Sequence, residues 1–186
     1  ADLRSDTITQ PTPEMRKAMS EAEVGDDLLR EDPTMNALEA LGAEAVGKEA
    51  SVFVPSGTFG NELALFTLCR RGQEVVLAES SHIVQHEAGA AGVIPGVQLR
   101  AYIPALSYPT WGDIEPRLRR DRDIDFPETG CIALENALST GEVHPQAEME
   151  AISAAARRAR IPVHLDGARI FNAALHLSVE APRIAA

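Results

Sequence analysis

The chain has 186 residues, enough for one α/β domain but not for two ordinary ones, and with 45% hydrophobic and 24% charged residues its composition is globular. Its formal net charge of −11 lacks the basic footprint of a protein that binds a nucleic-acid backbone. No apolar run reaches the roughly 18 residues of a membrane span, and the N-terminus lacks the basic-then-apolar order of a signal peptide, so we expect a cytoplasmic protein with no membrane partner.

Cap residues and apolar spacing predict four helices in chain order. The first begins after Thr12, which precedes a proline at the first helical position, and ends before Gly25. The second is predicted to have Thr34 as its cap. The third and fourth combine helical apolar spacing with basic residues in the last turn, and they are predicted at Thr58–Arg71 and Gln146–Arg160.

Short apolar runs of strand length lie between these helices. None of them alternates cleanly between apolar and polar residues, which is typical of strands buried on both faces. They therefore predict an α/β fold, with a mostly parallel sheet and helices on both of its faces. Residues 103–126 contain prolines, a glycine and many charged residues, and they predict a loop around a short helix near Ile114–Arg120. The predicted strands are Ser51–Val54, Glu74–Ala78, Cys131–Leu134 and Pro162–Leu165.

A polar cluster follows each predicted strand. Because ligands of parallel α/β sheets bind outside the carboxyl ends of the strands, clusters at these ends predict one composite site. The clusters are Pro55–Thr58, Glu79–His82, Glu135-Asn136 and Asp166–Arg169.

The segment Pro55–Asn61 joins a predicted strand to a predicted helix, and it is typical of a phosphate-binding turn. Gly57 lets the backbone approach a ligand closely, and the first N–H groups of the helix point at that ligand. The hydroxyls of Ser56 and Thr58 can add hydrogen bonds. The segment matches neither the Walker pattern nor G-x-G-x-x-G, so a nucleotide is not favoured; a capped strand–helix turn is the structural alternative.

Two further clusters carry groups that suit a flat, charged ligand. Asp166 could pair with a protonated ring nitrogen, and Arg169 could bind a carboxylate through two hydrogen bonds; alternatively the two residues pair with each other and fix a loop. His164 is expected to be a structural histidine.

His82 could stack on a flat cofactor, or it could cap a helix or lie in the core. Its spacing to His86 is also that of paired metal ligands on a helix, so a metal-dependent hydrolase using both histidines and Asp166 is a competing hypothesis.

Together these motifs resemble the threonine aldolases. Their order and spacing hold from residue 3 to about residue 175. The motifs are Arg4–Thr7, Val24–Asp27, Glu31–Thr34, Pro55–Thr58 with Gly60-Asn61, His82-Ile83 with Glu87–Gly89, Leu134–Asn136, and His164–Ala173.

The resemblance implies the large domain of a fold-type I enzyme that uses pyridoxal 5'-phosphate (PLP) and works as a homodimer or homotetramer with active sites at dimer interfaces. It implies a phosphate bound at Gly57 and Thr58, a ring stacked on His82 and a ring nitrogen paired with Asp166. It implies no metal. By motif match the cofactor-binding residues are Ser56, Gly57, Thr58, His82, Asp166 and Arg169, the substrate-binding residues are Ser5 and Arg169, and the catalytic residues are His82 and Asp166.

The chemistry implied is retro-aldol cleavage. A protonated pyridine acts as an electron sink, so the Cα–Cβ bond of a β-hydroxy-α-amino acid can break once its hydroxyl loses a proton, giving glycine and an aldehyde. His82 or a bound water is the candidate base. A divergent or non-catalytic relative, or another PLP lyase with a different substrate, is the alternative.

The family carries its Schiff-base lysine beyond the Asp166–Arg169 motif, past Ala186. The lysines present, Lys17 and Lys48, belong to early helices, so we expect the 186-residue chain by itself to bind PLP weakly and to cleave nothing. The resemblance divides the chain into an N-terminal helical arm with dimer contacts (residues 1–50) and a PLP-binding large domain (residues 51–186), with the small C-terminal domain outside it.

Several positions near the substrate depart from the family. Leu29-Arg30 replaces Tyr-Gly, Asp125 replaces a histidine, Gly130 replaces an arginine, and Ala137-Leu138 replaces Thr-His after Glu135-Asn136. The motifs on the cofactor side are intact. The sequence therefore supports cofactor binding more strongly than threonine as the substrate.

Overall fold

The structure is a computed structural model that describes residue 2 and residues 4–120 and 124–186. The chain divides into two compact units, one of residues up to Glu44 with Glu49–Phe53, the other of Ala45–Lys48 with Val54–Ala186. The predicted roles of residues 1–50 in dimer contacts and of residues 51–186 in cofactor binding stay predictions. Within the described ranges, no helix is both long enough and apolar enough to cross a membrane.

The N-terminal unit contains short helices with polar caps. Thr12 caps helix α1 as predicted, since its side chain accepts the N–H of Met15 at 3.2 Å. Two 3-10 turns accompany the helices. The elements are the 3-10 turn Asp6–Ile8, helix α1, Pro13–Glu21, the 3-10 turn Asp27–Leu29 and helix α2, Pro33–Ala45.

The cap of α2 is Asp32, so the predicted cap Thr34 is wrong. Asp32 Oδ1 accepts the N–H of Met35 at 2.8 Å, whereas the Thr34 hydroxyl donates to the carbonyl of Glu23 at 2.5 Å. A proline, Pro33, follows Asp32 and occupies the first helical position, where its missing N–H has no helical partner to lose. The cap is therefore the residue directly before the proline.

Four parallel strands form the sheet of the second unit, in the order β2-β1-β3-β4. Parallel neighbours need long crossover connections, and helices supply them here. This arrangement confirms the predicted α/β fold. The strands are β1, Glu74–Ala78, β2, Gln98–Tyr102, β3, Thr129–Glu135, and β4, Val163–Asp166.

The predicted third and fourth helices are confirmed with earlier ends. Cys69 is extended (φ −116°) and ends the third helix, and Arg160 adopts the left-handed region (φ 58°) after the fourth. The short helix predicted near residues 114–120 begins earlier, at Trp111. The helices of this unit are α3, Gly57–Leu68, α4, His82–Gln85, α5, Ala90–Val93, α6, Trp111–Ile114, with a 3-10 turn Glu115–Arg117, α7, Gln146–Ala159, α8, Ile170–Leu177, and α9, Ala181–Ala185.

Side chains of the central strands pack alternately on the two faces of the sheet. In β1, Val75 and Leu77 pack with Leu65 of α3 on one face, while Val76 packs with Ile132 and with α7 on the other. All three β1 side chains are fully buried. Burial of both faces explains why these strands have continuous apolar sequences.

The predicted strand Ser51–Val54 is wrong, and the strand β2 was missed. Residues 51–54 are outside the described sheet, with Val52 64% and Phe53 54% exposed. Apolar composition supplies no strand unless a neighbouring strand completes its hydrogen bonds. The missed strand β2 lies at the edge of the sheet and has polar residues Gln98 and Arg100, so it lacks a continuous apolar sequence.

Candidate active site

Three of the predicted polar clusters meet at the carboxyl edge of the sheet. His82, after β1, donates its backbone N–H to Glu135 Oε2 at the end of β3, at 2.9 Å. Asn136 donates its backbone N–H to the carbonyl of Asp166, the last residue of β4, at 3.0 Å. The parallel register therefore brings together residues that are far apart in the sequence, as the composite-site prediction requires.

The fourth cluster forms the N-terminus of α3. Ser56 is its cap: its side chain accepts the N–H of Phe59 at 3.1 Å, and its carbonyl accepts the N–H of Gly60. The N–H groups of Gly57 and Thr58 precede this first intrahelical bond, which makes them donors for an anion. A Cβ atom built on Gly57 would meet no atom within 4 Å, so the backbone there is open to a ligand.

Asn61, in the second turn of α3, links this helix to the strand ends. Its Nδ2 donates to Asp166 Oδ2 at 2.9 Å and to Glu87 Oε1 at 2.8 Å. Because Nδ2 faces two carboxylates, Oδ1 is the atom 2.8 Å from His164 Nε2, and that nitrogen must carry a proton. Burial lowers the pKa of His164, which favours this neutral, donating imidazole. His164 is thus a satisfied structural histidine, as predicted.

The carboxylate of Asp166 is held by two donors on different oxygens. Besides the bond from Asn61, its Oδ1 accepts the N–H of Ala168 at 3.1 Å. The residue is half-buried. Glu135 lies nearby, and burial first and the charge of Asp166 next raise the pKa of Glu135. Asp166 therefore presents a fixed acceptor at the edge of the site.

The imidazole of His82 is oriented by Glu87. Nδ1 lies 2.8 Å from Glu87 Oε1, and the side chain of Glu87 is completely buried while that of His82 is 37% exposed. A carboxylate at Nδ1 leaves Nε2 as the nitrogen available to a ligand. The predicted metal partner His86 is exposed and lies with its ring centroid 5.3 Å from that of His82.

A metal site would need a different set of residues from the one predicted. Ligand atoms of His82, Glu87 and Asp166 lie within 4.8 Å of one another, and His86 is not among them. The Asn61 amide nitrogen, however, donates to both carboxylates of this group. An N–H donor between the carboxylates opposes a cation there, so hydrogen bonding accounts for the cluster better than metal coordination.

The two predicted carboxylate-binding residues lie in different units. Arg169 is half-buried and directly precedes α8. Ser5 belongs to the N-terminal unit, where its Oγ accepts the N–H of Thr7 at 3.2 Å and caps a 3-10 turn. Substrate binding by Ser5 and Arg169 stays a prediction.

One of the departures that were expected near the substrate does not lie at the site. Gly130 is buried near the amino end of β3, whereas the site lies at the carboxyl end beyond Glu135. A Cβ atom at Gly130 would lie 2.7 Å from Gln73 Oε1 and 3.0 Å from Cys69 Sγ, so any side chain there would require the side chain of Gln73 to shift. Ala137 and Leu138 are buried next to Asn136, and Asp125 is exposed.

Arg30 stands where the resemblance places a glycine, and the backbone explains that glycine. Its φ of 62° lies in the left-handed region that glycine adopts without strain. The Arg30 guanidinium donates to Glu39 Oε2 at 2.9 Å, which anchors the side chain of the less favoured residue.

The site contains polar residues for which the sequence analysis predicted no individual contact. They are Asn61, Glu62, Glu87 and Glu135, all of them buried. A signal was available for the first two: Asn61-Glu62 is a polar pair inside an otherwise apolar stretch of α3, which suggests buried polar contacts.

Comparisons with known proteins agree with this geometry. The sequence profile of the family described as Beta-eliminating lyase matches residues 2–186. The chain is 42% identical to low-specificity L-threonine aldolase 1 of Arabidopsis thaliana, over 96% of this chain and 51% of that protein. It is 38% identical to low specificity L-threonine aldolase of Escherichia coli K12, over 98% of this chain and 55% of that protein. The chain thus spans about half the length of the curated relatives it matches.

Solved structures share the fold at lower identity. A threonine aldolase from Leishmania major has a TM-score of 0.79 at 22% identity, covering 91% of this chain and 50% of that one. A serine palmitoyltransferase from S. paucimobilis with bound PLP has a TM-score of 0.57 at 19% identity, covering 81% and 36%.

The parallel sheet, with its polar strand ends facing the N-terminus of α3, is the large-domain fold of fold-type I PLP-dependent enzymes. Within that fold the chain belongs to the beta-eliminating lyase family. The resemblance to the threonine aldolases is confirmed by relatives of that name along nearly the whole chain.

Proposed function

We propose that this protein is a PLP-dependent aldolase that cleaves a β-hydroxy-α-amino acid of the threonine or allo-threonine class to glycine and an aldehyde. Identity of about 40% to low-specificity L-threonine aldolases over nearly all of this chain supports the substrate class. The observation that carries the proposal is the single hydrogen-bonded cluster that joins α3, His82 and Asp166 through Asn61 and Glu87.

The residues present fit PLP. The N–H groups of Gly57 and Thr58, with the Ser56 hydroxyl, would hold the phosphate at the open N-terminus of α3, where the helix dipole favours an anion. The partly exposed imidazole of His82 would lie against the ring, and Asp166 would hold a proton at the ring nitrogen. Arg169 completes the predicted cofactor-binding set, and it and Ser5 would bind the carboxylate of the amino acid.

When bound, PLP supplies the electron sink for breaking the Cα–Cβ bond. Asp166 contributes a negative charge, and the N–H groups of Asn61 and Ala168 fix the orientation of its carboxylate. For the hydroxyl proton, the candidate acceptors are His82 Nε2 and a bound water, because Nδ1 of His82 is committed to Glu87. Burial of Glu87 keeps this hydrogen bond away from competing water.

The test is the substitution Asp166→Ala in the whole natural gene product. PLP and L-threonine are supplied, and the glycine and aldehyde formed are measured. We expect weaker PLP binding and a loss of turnover of at least about 100-fold, the scale of a missing electrostatic partner of the transition state. Glu180→Gln, an exposed carboxylate of the same unit, is the control and should change neither quantity. Near-normal turnover in Asp166→Ala would remove the electron-sink role, and cleavage of other amino acids only would favour a different PLP lyase.

We also propose a homo-oligomer located in the cytoplasm. Support for the oligomer comes from an exposed apolar stripe on α3, formed by Phe59, Leu63 and Phe66, which are 51%, 37% and 57% exposed. Support for the compartment comes from the free, buried thiols of Cys69 and Cys131, which suit a reducing environment.

A further inference from the structure

A second buried acid lies beside Glu87. Glu62 follows Asn61 on α3 and is only 3% exposed. Both carboxyl oxygens of Glu62, and Oε2 of Glu87, are closed off from solvent, and no N–H or hydroxyl donor of the described residues reaches them. Buried carboxylate oxygens without donors are costly, so these three atoms need a source of a proton.

The two carboxyl groups can satisfy each other. Burial first, then a hydrogen bond to Glu87 and the charge of Glu87, raise the pKa of Glu62 to about 7. One proton held between the two groups provides a donor on one side and an acceptor on the other. Glu87 is the acceptor in this pair, because its Oε1 already accepts from Asn61 and contacts His82 Nδ1.

We propose that Glu62 is a positioning residue that donates its carboxylic proton to Glu87 Oε2 and thereby keeps Glu87 as the anionic acceptor for His82 Nδ1–H. This proposal rests on the proposed function in one respect only, because it is that function which places His82 against the cofactor. Successive residues of α3 then hold the two oxygens of Glu87, Asn61 at Oε1 and Glu62 at Oε2. The helix whose N-terminus would bind phosphate therefore also fixes the imidazole.

Loss of the Glu62 proton donor has a defined consequence. Without it, Glu87 is a buried carboxylate with an unpartnered oxygen, and it takes up a proton itself. If this proton is on Oε1, which faces His82 Nδ1, Glu87 donates it to Nδ1 and the imidazole proton moves to Nε2, while Oε2 becomes an uncharged carbonyl oxygen. The other titratable groups of the cluster are His82 on α4, Glu135 on β3, and His164 and Asp166 on β4.

The first experiment locates the proton by infrared spectroscopy of the naturally expressed protein without PLP. At a pH between the ordinary glutamate value and about 7, we expect a carboxylic-acid C=O band that is lost in Glu62→Gln. Glu39→Gln, the loss of a buried glutamate in the other unit, should leave the band in place. Because Glu135, whose pKa is also raised by burial, can contribute an acid band of its own, the deciding quantity is the difference spectrum between wild type and Glu62→Gln. Absence of a C=O difference band would overturn the proposal.

The second experiment reads the tautomer of His82 from the ¹⁵N shifts of labelled histidines. Wild-type protein and Glu62→Gln, whose amide still donates to Glu87, should both show the Nδ1–H form, while Glu62→Leu should lose it. The ¹⁵N signals of His164 are the internal control and should stay unchanged. Wild-type His82 signals in Glu62→Leu would refute the positioning role; if Glu62→Leu does not fold, loss of the Nδ1–H form in Glu62→Gln would refute it equally.

These readouts separate the two proposals. Normal PLP binding and turnover in the wild-type protein, together with an unprotonated Glu62, would reject the positioning role and leave the aldolase function standing. The expected band and tautomer in a protein that binds no PLP would support the positioning role and reject the aldolase function.

Discussion

The side chain of Asn61 makes three hydrogen bonds at distances of 2.8, 2.8 and 2.9 Å, to Glu87, His164 and Asp166. Its amide is the group best suited to this place, because it donates twice to carboxylates and accepts once from an imidazole. A buried hydrogen-bond network holds its side chains in one arrangement. The orientations of Asp166 and of Glu87 therefore depend on one residue.

Replacement of Asn61 by aspartate should be severely destabilising. The substitution replaces the Nδ2 donor by an oxygen and places a third carboxylate next to those of Glu87 and Asp166. An uncompensated buried charge costs about 3–5 kcal/mol. We expect a loss of this size in the free energy of unfolding, measured by urea denaturation at neutral pH. Asn172→Asp on the exposed face of α8 is the matched control, with an expected change below about 0.5 kcal/mol. Equal effects of the two substitutions would contradict the role of Asn61.

The raised pKa of Glu62 makes the stability of the fold depend on pH. The value rises from 4.5 to about 7 on folding, so the folded chain binds this proton more tightly than the unfolded chain. The contribution of Glu62 to the free energy of unfolding is complete below pH 4.5 and is lost as the pH rises through about 7. The total loss is roughly 3 kcal/mol.

Two histidines have the opposite effect on the pH dependence of stability. Burial lowers the pKa of His144 and His164 below 6.5, so their contribution is lost as the pH falls. Glu62→Gln isolates the glutamate, and we expect the difference in unfolding free energy between wild type and variant to change between pH 4.5 and about 7 and to level off above it. Parallel stability curves for the two proteins would show that Glu62 has an ordinary pKa.

At the scale of elements, helix α3 combines a structural cap with the proposed phosphate site. Ser56→Ala removes the hydroxyl that accepts the N–H of Phe59, and should lower stability by about 1 kcal/mol. Thr110→Ala removes the corresponding cap of α6, whose side chain accepts the N–H of Asp113. We expect similar losses in thermal unfolding, but weaker PLP binding, measured by fluorescence titration, only in Ser56→Ala. Weakened binding in both would mean that Ser56 acts through helix stability alone.

The elements that were predicted correctly have local physical signals. The helices α1 and α3 begin at the side-chain caps Thr12 and Ser56, and α7 has apolar spacing on one face. The strands β1 and β3 have continuous apolar runs because both faces of the sheet are covered. β2 lies at an edge, where polar side chains are tolerated, so its sequence carries no such signal.

The site was predictable in part for the same reason. Polar residues at the ends of parallel strands are placed by topology, so His82 and Asp166 could be assigned to one edge of the sheet. The roles of Asn61, Glu62 and Glu87 depend on which side chains meet across distant segments. Sequence spacing does not contain that information.

At the scale of the whole molecule, the stripe of Phe59, Leu63 and Phe66 on α3 should lie in a subunit contact. Phe66→Glu places a charge on this stripe, and a charge buried in an apolar contact without a partner costs several kcal/mol. We expect dissociation toward monomers, measured by light scattering coupled to gel filtration. Leu175→Glu on α8, at a position 83% exposed, is the control and should not change the mass. An unchanged mass for Phe66→Glu would place the contact elsewhere.

The hydrogen bond between Asn61 and Asp166 joins residues that are 105 positions apart in the chain. Contacts of such long sequence range form late, because the entropy of closing the intervening loop must be overcome before they stabilise anything. During synthesis, α3 and β1 leave the ribosome long before β4, and they must wait for their partner in the site. We therefore expect refolding in which helical structure returns first and the environment of His82 matures last. A substitution at Asp166 should accordingly speed unfolding more than it slows folding.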